Sequence, residues 1–193
     1  MLSEIEHPDE LRHGLGPIWT ATRVANPDFV ISGPVTFLTG ASFSMSANAW
    51  REAVFAPFLL PALRSALAHA RKGGLRELCE LDQRLSEQLG EVSREGSLRA
   101  GRRLAGRGSE LPGDRLLSRL SECVAAGTTP GHLVVVFAAR CAAFSLPDRV
   151  AAGAYLFQEM CGGAPTATIP IVCDFIAACL EPLGGAVIEF RTA

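Results

Sequence analysis

The sequence lacks the motifs that usually mark an enzyme or a metal site. It contains no GxSxG motif, no glycine-rich phosphate loop of the Walker type and no cysteine within a local catalytic signature. No two of its histidines and cysteines stand three or four residues apart, which is the spacing that brings metal ligands together on one face of a helix. The sequence therefore favours a protein that is not an enzyme, and it assigns no catalytic residue, metal or cofactor.

Charge and hydropathy exclude several classes of partner. The formal net charge is −2, so no bulk basicity points to nucleic acid or to an anionic membrane. Hydrophobic residues make up 48% of the chain and charged residues 20%, which is typical of a globular domain. The longest apolar stretch, Leu133 to Leu146, has 14 residues, too few to cross a hydrocarbon core of about 30 Å. We therefore expect neither nucleic acid nor a membrane as a partner.

The six cysteines and the opening residues indicate the compartment. The cysteines are scattered along the chain, and most of them lie in apolar stretches that are predicted to be helical. This distribution is typical of buried thiols that serve as small hydrophobic side chains. Such usage suits a reducing environment better than a disulfide framework. The chain does not open with a basic segment followed by an apolar one, so no export signal is expected. The predicted location is the cytoplasm.

Two consecutive apolar helices near the carboxyl end form the strongest pattern in the chain. Thr129 is predicted to cap the first helix, with Pro130 at its first helical position, where the missing N–H costs nothing. Residues Ser145 to Asp148 fit a capping box that ends this helix and begins the next. The second helix is predicted to end near Cys161, where a glycine pair can adopt the left-handed backbone conformation that terminates a helix. Helices that are apolar all round belong at the centre of a bundle, so this hairpin is the predicted hub.

Helical patterns fill most of the remaining chain. They predict helices over 49–70, 75–89, 93–106 and 112–126, and a further apolar run follows at 171–180. Pro57 and Pro61 should split or kink the first of these helices. The first 40 residues are weakly periodic and rich in proline, and they predict an irregular segment with room for one short helix. The sequence thus predicts an all-α, single-domain bundle of six to eight helices over residues 41–193, preceded by the irregular segment 1–40.

Two stretches of the sequence resemble the urease accessory protein F (UreF) family. An upstream helix resembles the family pattern R-x-x-S-x-x-x-G-x-x-L through Arg94, Ser97, Gly101 and Leu104. The apolar hairpin resembles the family text GHxAVVFG…AAALGLP…A…AYLY through Gly131, His132, Val135, Val136, Phe137, Ala142, Ala143, Leu146, Pro147, Ala154, Tyr155 and Leu156. The two patterns stand in the family's order, and together with the helices between them they cover roughly residues 58 to 160.

The resemblance implies an all-helical accessory protein that is catalytically inert and works by binding other proteins. Members of the family join a UreD/UreH-type scaffold and the GTPase UreG, and this assembly delivers nickel to apo-urease. A homodimer is a further expectation. Five of the residues that match the two motifs are the candidates for partner binding: Arg94, Ser97, Gly101, His132 and Tyr155.

The chain departs from the family sequence in three places, one of which is a shortened helical segment before Phe58. The family motif LPxGGFxHSxGLE aligns with Leu38 to Trp50, but only Leu38, Phe43 and Ser46 match it. The family text RLxPLGQ is reduced to residues Thr168 to Cys173. Because these regions carry much of the family's partner contact, the resemblance extends to the fold more firmly than to the specific partners.

Ordinary structural roles compete with the functional interpretations. A buried ring with a satisfied hydroxyl is the commoner role for Tyr155, and a capping or surface role is at least as common for His132. A glycine in mid-helix, such as Gly101, usually marks close packing of a neighbouring helix. The seven arginines from Arg94 to Arg119 indicate either a solvated helix face or a docking face for an acidic protein surface.

Two other functions stay open at this stage. One is a helical interaction module, or a self-associating protein, that uses the same fold in a different assembly; genomic neighbours without urease structural genes would favour it. The other is a small helical enzyme that uses Ser44 or a cysteine as a nucleophile. The segment from Gly40 to Ser44 is rich in glycine and serine, and an ordinary turn is the commoner reason for such a sequence. The enzyme is therefore the weakest of the three hypotheses.

Overall fold

The structure is a computed structural model, and it describes residues 18, 20–27, 47–107, 114–161 and 176. Seven α-helices occur in these ranges, residues 20–25 are also helical, and no β-strand lies among the described residues. The helices are α1 (Ala47–Trp50), α2 (Leu60–Arg71), α3 (Leu75–Gln88), α4 (Glu91–Ala105), α5 (Arg115–Ala125), α6 (Leu133–Ala143) and α7 (Asp148–Cys161), and a π-helical segment (Arg51–Leu59) joins α1 to α2. The all-α prediction is confirmed. The domain boundary near residue 40, the glycine pair after α7 and most of the run at 171–180 lie outside the described residues.

The predicted apolar hairpin forms the hub of the bundle. Every residue of α6 from Leu133 to Cys141 is buried, and so is every residue of α7 from Ala151 to Glu159. Helices α2 and α4 make the most extensive contacts with α6. Phe137 of α6 and Tyr155 of α7 meet edge to face, with ring centroids 5.6 Å apart. Since burying one such side chain fully contributes roughly 1.5–3 kcal/mol, the hairpin is a main source of the stability of the fold.

The run from α1 to α2 is helical throughout, so its prolines do not split it. Pro57 lies inside the π-helical segment, where the backbone no longer depends on the regular i to i−4 bond that proline disrupts. Pro61 stands in the first turn of α2, where the amide has no partner within the helix. By length and composition Arg51–Arg71 is the one helix among the described residues that could cross a membrane, and 39% of its apolar window is buried inside the protein.

Helix α6 begins three residues later than predicted. Its first residue is Leu133 rather than Pro130, and its N-cap residue is His132. Thr129 does not cap the helix, because its hydroxyl donates to the carboxylate of Asp82 on α3 at 2.7 Å. The predicted start was wrong because the partner that fixes it comes from another helix.

Ser145 ends α6, whereas the sequence predicted it as part of the cap of α7. Its φ of 53° lies in the left-handed region, which is the conformation that follows a helix in a Schellman motif. The amides of Ser145 and Leu146 donate to the carbonyl oxygens of Ala142 and Cys141, each at 2.9 Å, which completes that motif. Since α7 begins at Asp148, the S-L-P-D text marks the boundary between the helices correctly, but Ser145 stands too far upstream to cap α7.

The helical residues 20–25 pack against the hub. The hydroxyl of Thr22 donates to the carbonyl oxygen of Ala154 on α7 at 3.4 Å. The buried guanidinium of Arg140 on α6 donates through Nε to the carbonyl oxygen of Ala25 at 2.6 Å. Because a buried cation is costly without hydrogen-bond partners, this contact joins part of the N-terminal segment firmly to α6.

Candidate functional site

The two stretches that resemble UreF meet at the amino end of α6. Helix α4 crosses the loop of residues 128–132 that leads into α6. A Cβ atom on Gly101 would stand 2.1 Å from the carbonyl oxygen of Gly131 and 2.5 Å from the amide nitrogen of Leu133, distances that real Cβ atoms essentially never show. Only glycine therefore allows the two backbones to approach so closely. We use the name "α6 junction" for Asp82, Ser86, Ser97, Gly101 and residues 129–133.

The carboxylate of Asp82 on α3 holds the loop in place. Its Oδ2 accepts from Thr129 Oγ1 at 2.7 Å and from the amide of Gly131 at 2.6 Å, and its Oδ1 accepts from the amide of His132 at 2.8 Å. Asp82 is fully buried. The N-cap residue of α6 provides no side-chain cap, and the amide end of a helix carries partial positive charge. A carboxylate from a neighbouring helix therefore satisfies the backbone donors at the entrance to α6.

The imidazole ring of His132 lies between two serines. Its Nε2 is 2.8 Å from Ser86 Oγ on α3, and its Nδ1 is 3.2 Å from Ser97 Oγ on α4. Ser97 Oγ also accepts from the amide of Leu133 at 3.2 Å. A neutral ring meets both serines, with one nitrogen donating and the other accepting. Three helices are thus joined through one fully buried side chain.

We expect the wild-type protein to lose stability more steeply on acidification than a His132→Gln variant does. Burial lowers the pKa of His132 from its ordinary 6.5; the Asp82 carboxylate opposes this shift, and Arg102 and Arg94 add to it. The unfolded chain therefore binds the proton more readily than the folded protein does. The contribution of the neutral ring to stability is complete above about pH 6.5 and is lost progressively as the pH falls below that value.

Urea unfolding at about pH 7.5, 6.5 and 5.5 measures this difference. One group changes the free energy of unfolding by at most about 1.4 kcal/mol per pH unit. A His69→Gln variant, altered outside the junction, serves as the control and should follow the wild type. Parallel pH profiles for the wild type and the His132→Gln variant would show that His132 is not desolvated as the structure indicates.

Gly131 and Arg102 close the junction on its outer side. Gly131 has a φ of 85°, in the left-handed region that glycine adopts without strain. A Cβ atom there would stand 2.7 Å from Cγ1 of Val124 on α5 and 3.2 Å from Cγ of Arg102 on α4. Arg102 donates through Nε to the carbonyl oxygen of Pro130 at 2.9 Å and is itself exposed. The buried junction therefore lies directly beneath the outer surface of α4.

Aspartate, histidine and serine side chains meet in the junction, but not in the arrangement of a hydrolytic triad. In a triad the aspartate bonds one ring nitrogen of the histidine and the nucleophilic serine meets the other. Here Asp82 bonds the backbone amide of His132, and both ring nitrogens face serines. Ser97 is fully buried, so a substrate cannot reach its hydroxyl while the fold is closed. The geometry holds helices together and does not activate a nucleophile.

Four of the five candidate partner-binding residues lie together, and the fifth lies elsewhere. Ser97, Gly101 and His132 are buried in the junction, and the half-buried Arg94 beside them donates through Nη1 to the carbonyl oxygen of Ser86 at 3.0 Å. A side chain without exposed surface cannot contact a partner while the fold stays closed. Any effect of the buried candidates on binding is therefore indirect, and their role in partner binding stays a prediction.

Tyr155 is buried between α7 and α6, away from the junction. Burial raises the pKa of its phenol well above 10.0, and the neighbouring carboxylate of Glu159 raises it further because it repels the phenolate. The same carboxylate also interacts with the phenol hydroxyl and favours its protonated form. The ring itself packs against Phe137, so the expected core role of the side chain is present.

The sequence analysis missed Asp82, whose carboxylate accepts three hydrogen bonds within the junction. A signal for it was present. Asp82 lies four residues after Leu78 and three before Leu85, on the buried leucine stripe of α3. An acidic residue on an apolar stripe indicates a buried acceptor that needs donors from another element. Ser86 had no comparable signal.

The described residues offer little that could hold a metal. No group of three or more potential ligands occurs among them. Cys79 on α3 and Cys123 on α5 are neighbouring half-buried thiols; burial raises the pKa of Cys79, and the proximity of Cys123 adds to the rise. Burial also raises the pKa of Cys141 strongly. Burial thus favours the protonated thiol at Cys79 and Cys141, whereas metals bind the thiolate.

The region that contains the α6 junction matches a known protein family. A family model described as UreF matches residues 45–164, which is more than half of the 193-residue chain and includes the whole junction. The chain belongs to the UreF family. The comparisons with curated proteins and with solved structures give no match. UreF is a family of urease accessory proteins, so the general role of the chain is that of an accessory protein.

The junction also explains why two separate UreF motifs occur in this chain. The serine and glycine of the upstream motif, Ser97 and Gly101, contact the glycine and histidine of the downstream motif, Gly131 and His132. These parts of the two motifs thus form one buried contact between α4 and the entrance to α6. In this UreF protein both motifs specify packing.

Proposed function

We propose that this chain is a non-catalytic accessory protein that joins a UreD/UreH-type scaffold and a UreG-type GTPase. The assembly inserts nickel into urease in the cytoplasm. The observation that carries the proposal is the UreF family match over residues 45–164. In this role the chain holds neither the nickel nor the nucleotide, and it contributes by binding and arranging its partners.

The α6 junction supports a binding role. Backbone approach at Gly101, capping by Asp82 and the ring of His132 fix α3, α4 and α6 relative to one another. A surface carried on fixed helices loses less conformational entropy on association than a mobile surface does. Within this proposal Ser97, Gly101 and His132 are positioning residues that set the orientation of α4.

Co-expression of the tagged chain with the scaffold and the GTPase of the same organism tests the proposal. We expect both proteins to co-elute with the chain in size-exclusion chromatography, in a complex of fixed stoichiometry. Circular dichroism of the isolated chain serves as the control for folding. A folded, helical chain that elutes without either partner would reject the proposed role.

A homodimer, or another helical assembly on the same fold, is the second candidate. The observation that favours it is an exposed apolar strip on the π-helical segment, formed by Ala53, Ala56, Pro57 and Phe58. Exposed apolar surface of this kind often marks a protein interface. Light scattering on the chain alone separates the two candidates: a stable dimer that binds neither accessory partner favours this one.

A further inference from the structure

The outer surfaces of α4 and α5 concentrate positive charge in a chain that is slightly acidic overall. Six of its 18 lysines and arginines are exposed arginines on these two helices and the turn after α4. We use the name "arginine face" for Arg99, Arg102, Arg103, Arg107, Arg115 and Arg119. The sequence left open whether these arginines form a solvated surface or a docking face, and their arrangement in the structure bears on that choice.

Helices α4 and α5 run antiparallel. Ser121 Oγ on α5 donates to the carbonyl oxygen of Ala105 on α4 at 2.7 Å. Three residues further along α5 and three residues back along α4, Val124 and Arg102 flank the same glycine, Gly131. These two contacts fix the register between the helices.

By this register the arginines follow one another at intervals of about one turn along the axis of the helix pair, and we call this arrangement the row. Arg119 lies at the same level along the helix axis as Arg107. Arg103 lies one turn from this level toward the amino end of α4, and Arg115 lies one turn from it in the opposite direction. Arg99 extends the row by a further turn. Four residues of helix rise about 6 Å, so the row spans roughly 18 Å from Arg99 to Arg115.

Four arginines of this row form no ion pair within the part of the chain that the structure describes. Arg99, Arg103, Arg115 and Arg119 make no ion pair with any described residue, whereas ion pairs do form elsewhere on the surface, as between Arg71 and Asp148. The two glutamates that border the row are also exposed: Glu95 is four residues before Arg99, and Glu122 is three residues after Arg119. Neither of them pairs with its neighbouring arginine.

Contacts between α4 and the loop before α6 hold the arginine face in place. Arg102 is tied to Pro130, and Gly101 brings the backbone of α4 against the loop before α6. Helix α4 therefore cannot rotate without breaking the α6 junction. Charges on a fixed surface keep their spacing, which favours a partner whose own charges match that spacing.

We propose that the arginine face docks an acidic α-helix of a partner protein, with carboxylates four residues apart facing the row. Arginine pairs with carboxylates in a bidentate geometry and is favoured at protein interfaces. A helix of about three to four turns matches the 18 Å row. The net charge of −2 for the whole chain does not favour nucleic acid as the partner. The inference rests on the proposed function only in that the chain acts by binding proteins.

A fluorescein-labelled helical peptide of about 15 residues, alanine-rich with glutamate at every fourth position, is the probe. Fluorescence polarisation measures its affinity for the full chain at low salt. The test variant is Arg103→Glu/Arg119→Glu. The matched control is Arg64→Glu/Arg84→Glu, which makes the same charge change at exposed arginines on α2 and α3. Thermal unfolding confirms that both variants are folded.

We expect the test variant to bind the peptide at least about tenfold more weakly, because two attractive contacts become repulsive. The control should stay within about twofold of the wild type, and salt should weaken wild-type binding strongly. Equal losses in the two variants would overturn the proposal, since net charge alone would then explain binding. A single-stranded oligonucleotide of equal charge that binds more tightly than the peptide, with the same dependence on Arg103 and Arg119, would also overturn it.

The accessory complex distinguishes a failure of this inference from a failure of the proposed function. If the wild type captures the scaffold and the GTPase and the test variant captures both equally well, the proposed function stands and the arginine face is not the docking surface. If the wild type captures neither but binds the peptide as expected, the docking surface stands and the proposed function fails.

Discussion

Replacing Gly101 with alanine is expected to destabilise the protein by about 3 kcal/mol or more. Helix propensity alone predicts the opposite sign, a gain of roughly 1 kcal/mol for alanine in mid-helix. The contacts decide the outcome: the new methyl group would stand 2.1 Å from the carbonyl oxygen of Gly131 and 2.5 Å from the amide nitrogen of Leu133. Both are backbone atoms, which cannot rotate away as a flexible side chain can, so α4 must move off the loop.

Chemical denaturation of the Gly101→Ala variant measures this loss. Gly106→Ala is the matched control, because a Cβ atom there would meet its nearest neighbour at an ordinary 3.4 Å and Gly106 has no left-handed φ. The control should be neutral or stabilised by a few tenths of a kcal/mol. A Gly101→Ala variant as stable as the wild type would mean that α4 does not approach the loop as closely as the structure shows.

Replacing Asp82 with alanine is expected to cost about 3–5 kcal/mol in the free energy of unfolding. The carboxylate accepts three hydrogen bonds, from Thr129, Gly131 and His132, and all of them lie in a buried part of the structure. Each buried donor that loses its partner costs roughly 1–3 kcal/mol, although relaxation of the loop recovers part of this sum. The variant should also lose order at the entrance to α6.

An ordinary helix cap provides the comparison for Asp82. Asp114 caps its own helix, α5, by accepting from the amide of Leu117 at 2.9 Å, and it is half-buried. The Asp114→Ala variant should lose about 1 kcal/mol, as is typical of such caps. Losses of similar size in the two variants would contradict the view that Asp82 holds a buried loop.

The sequence predicted those parts of the fold that depend on local patterns. The amphipathic α3 and the mostly apolar α6 and α7 could be predicted because the periodicity of a helix determines which residues can be buried together. The start of α6 was not readable. Asp82 lies about fifty residues upstream, and no pattern near Thr129 shows that its hydroxyl will bond to that carboxylate instead of capping the helix.

The candidate site was predicted in part. The motif residues Ser97, Gly101 and His132 do come together, but no pattern showed that Ser97 and His132 face inward, because a polar side chain serves a surface or a buried network equally well. Gly101 was predicted to mark close packing, and it does so against the loop before α6. The arginines were predicted as a basic zone, and only the antiparallel register of α4 and α5 shows that they form a row.

Native-state hydrogen exchange at three amides tests the central claim most directly. The claim is that the two UreF motif stretches form one closed, buried junction at the entrance to α6. The first amides of a helix normally exchange quickly, since they lack partners within the helix. Here the amides of Gly131, His132 and Leu133 donate to Asp82 and Ser97. We predict that these three amides are protected as strongly as the core amides of α6 and exchange only through global unfolding. Exchange as fast as in an unstructured peptide would contradict the account.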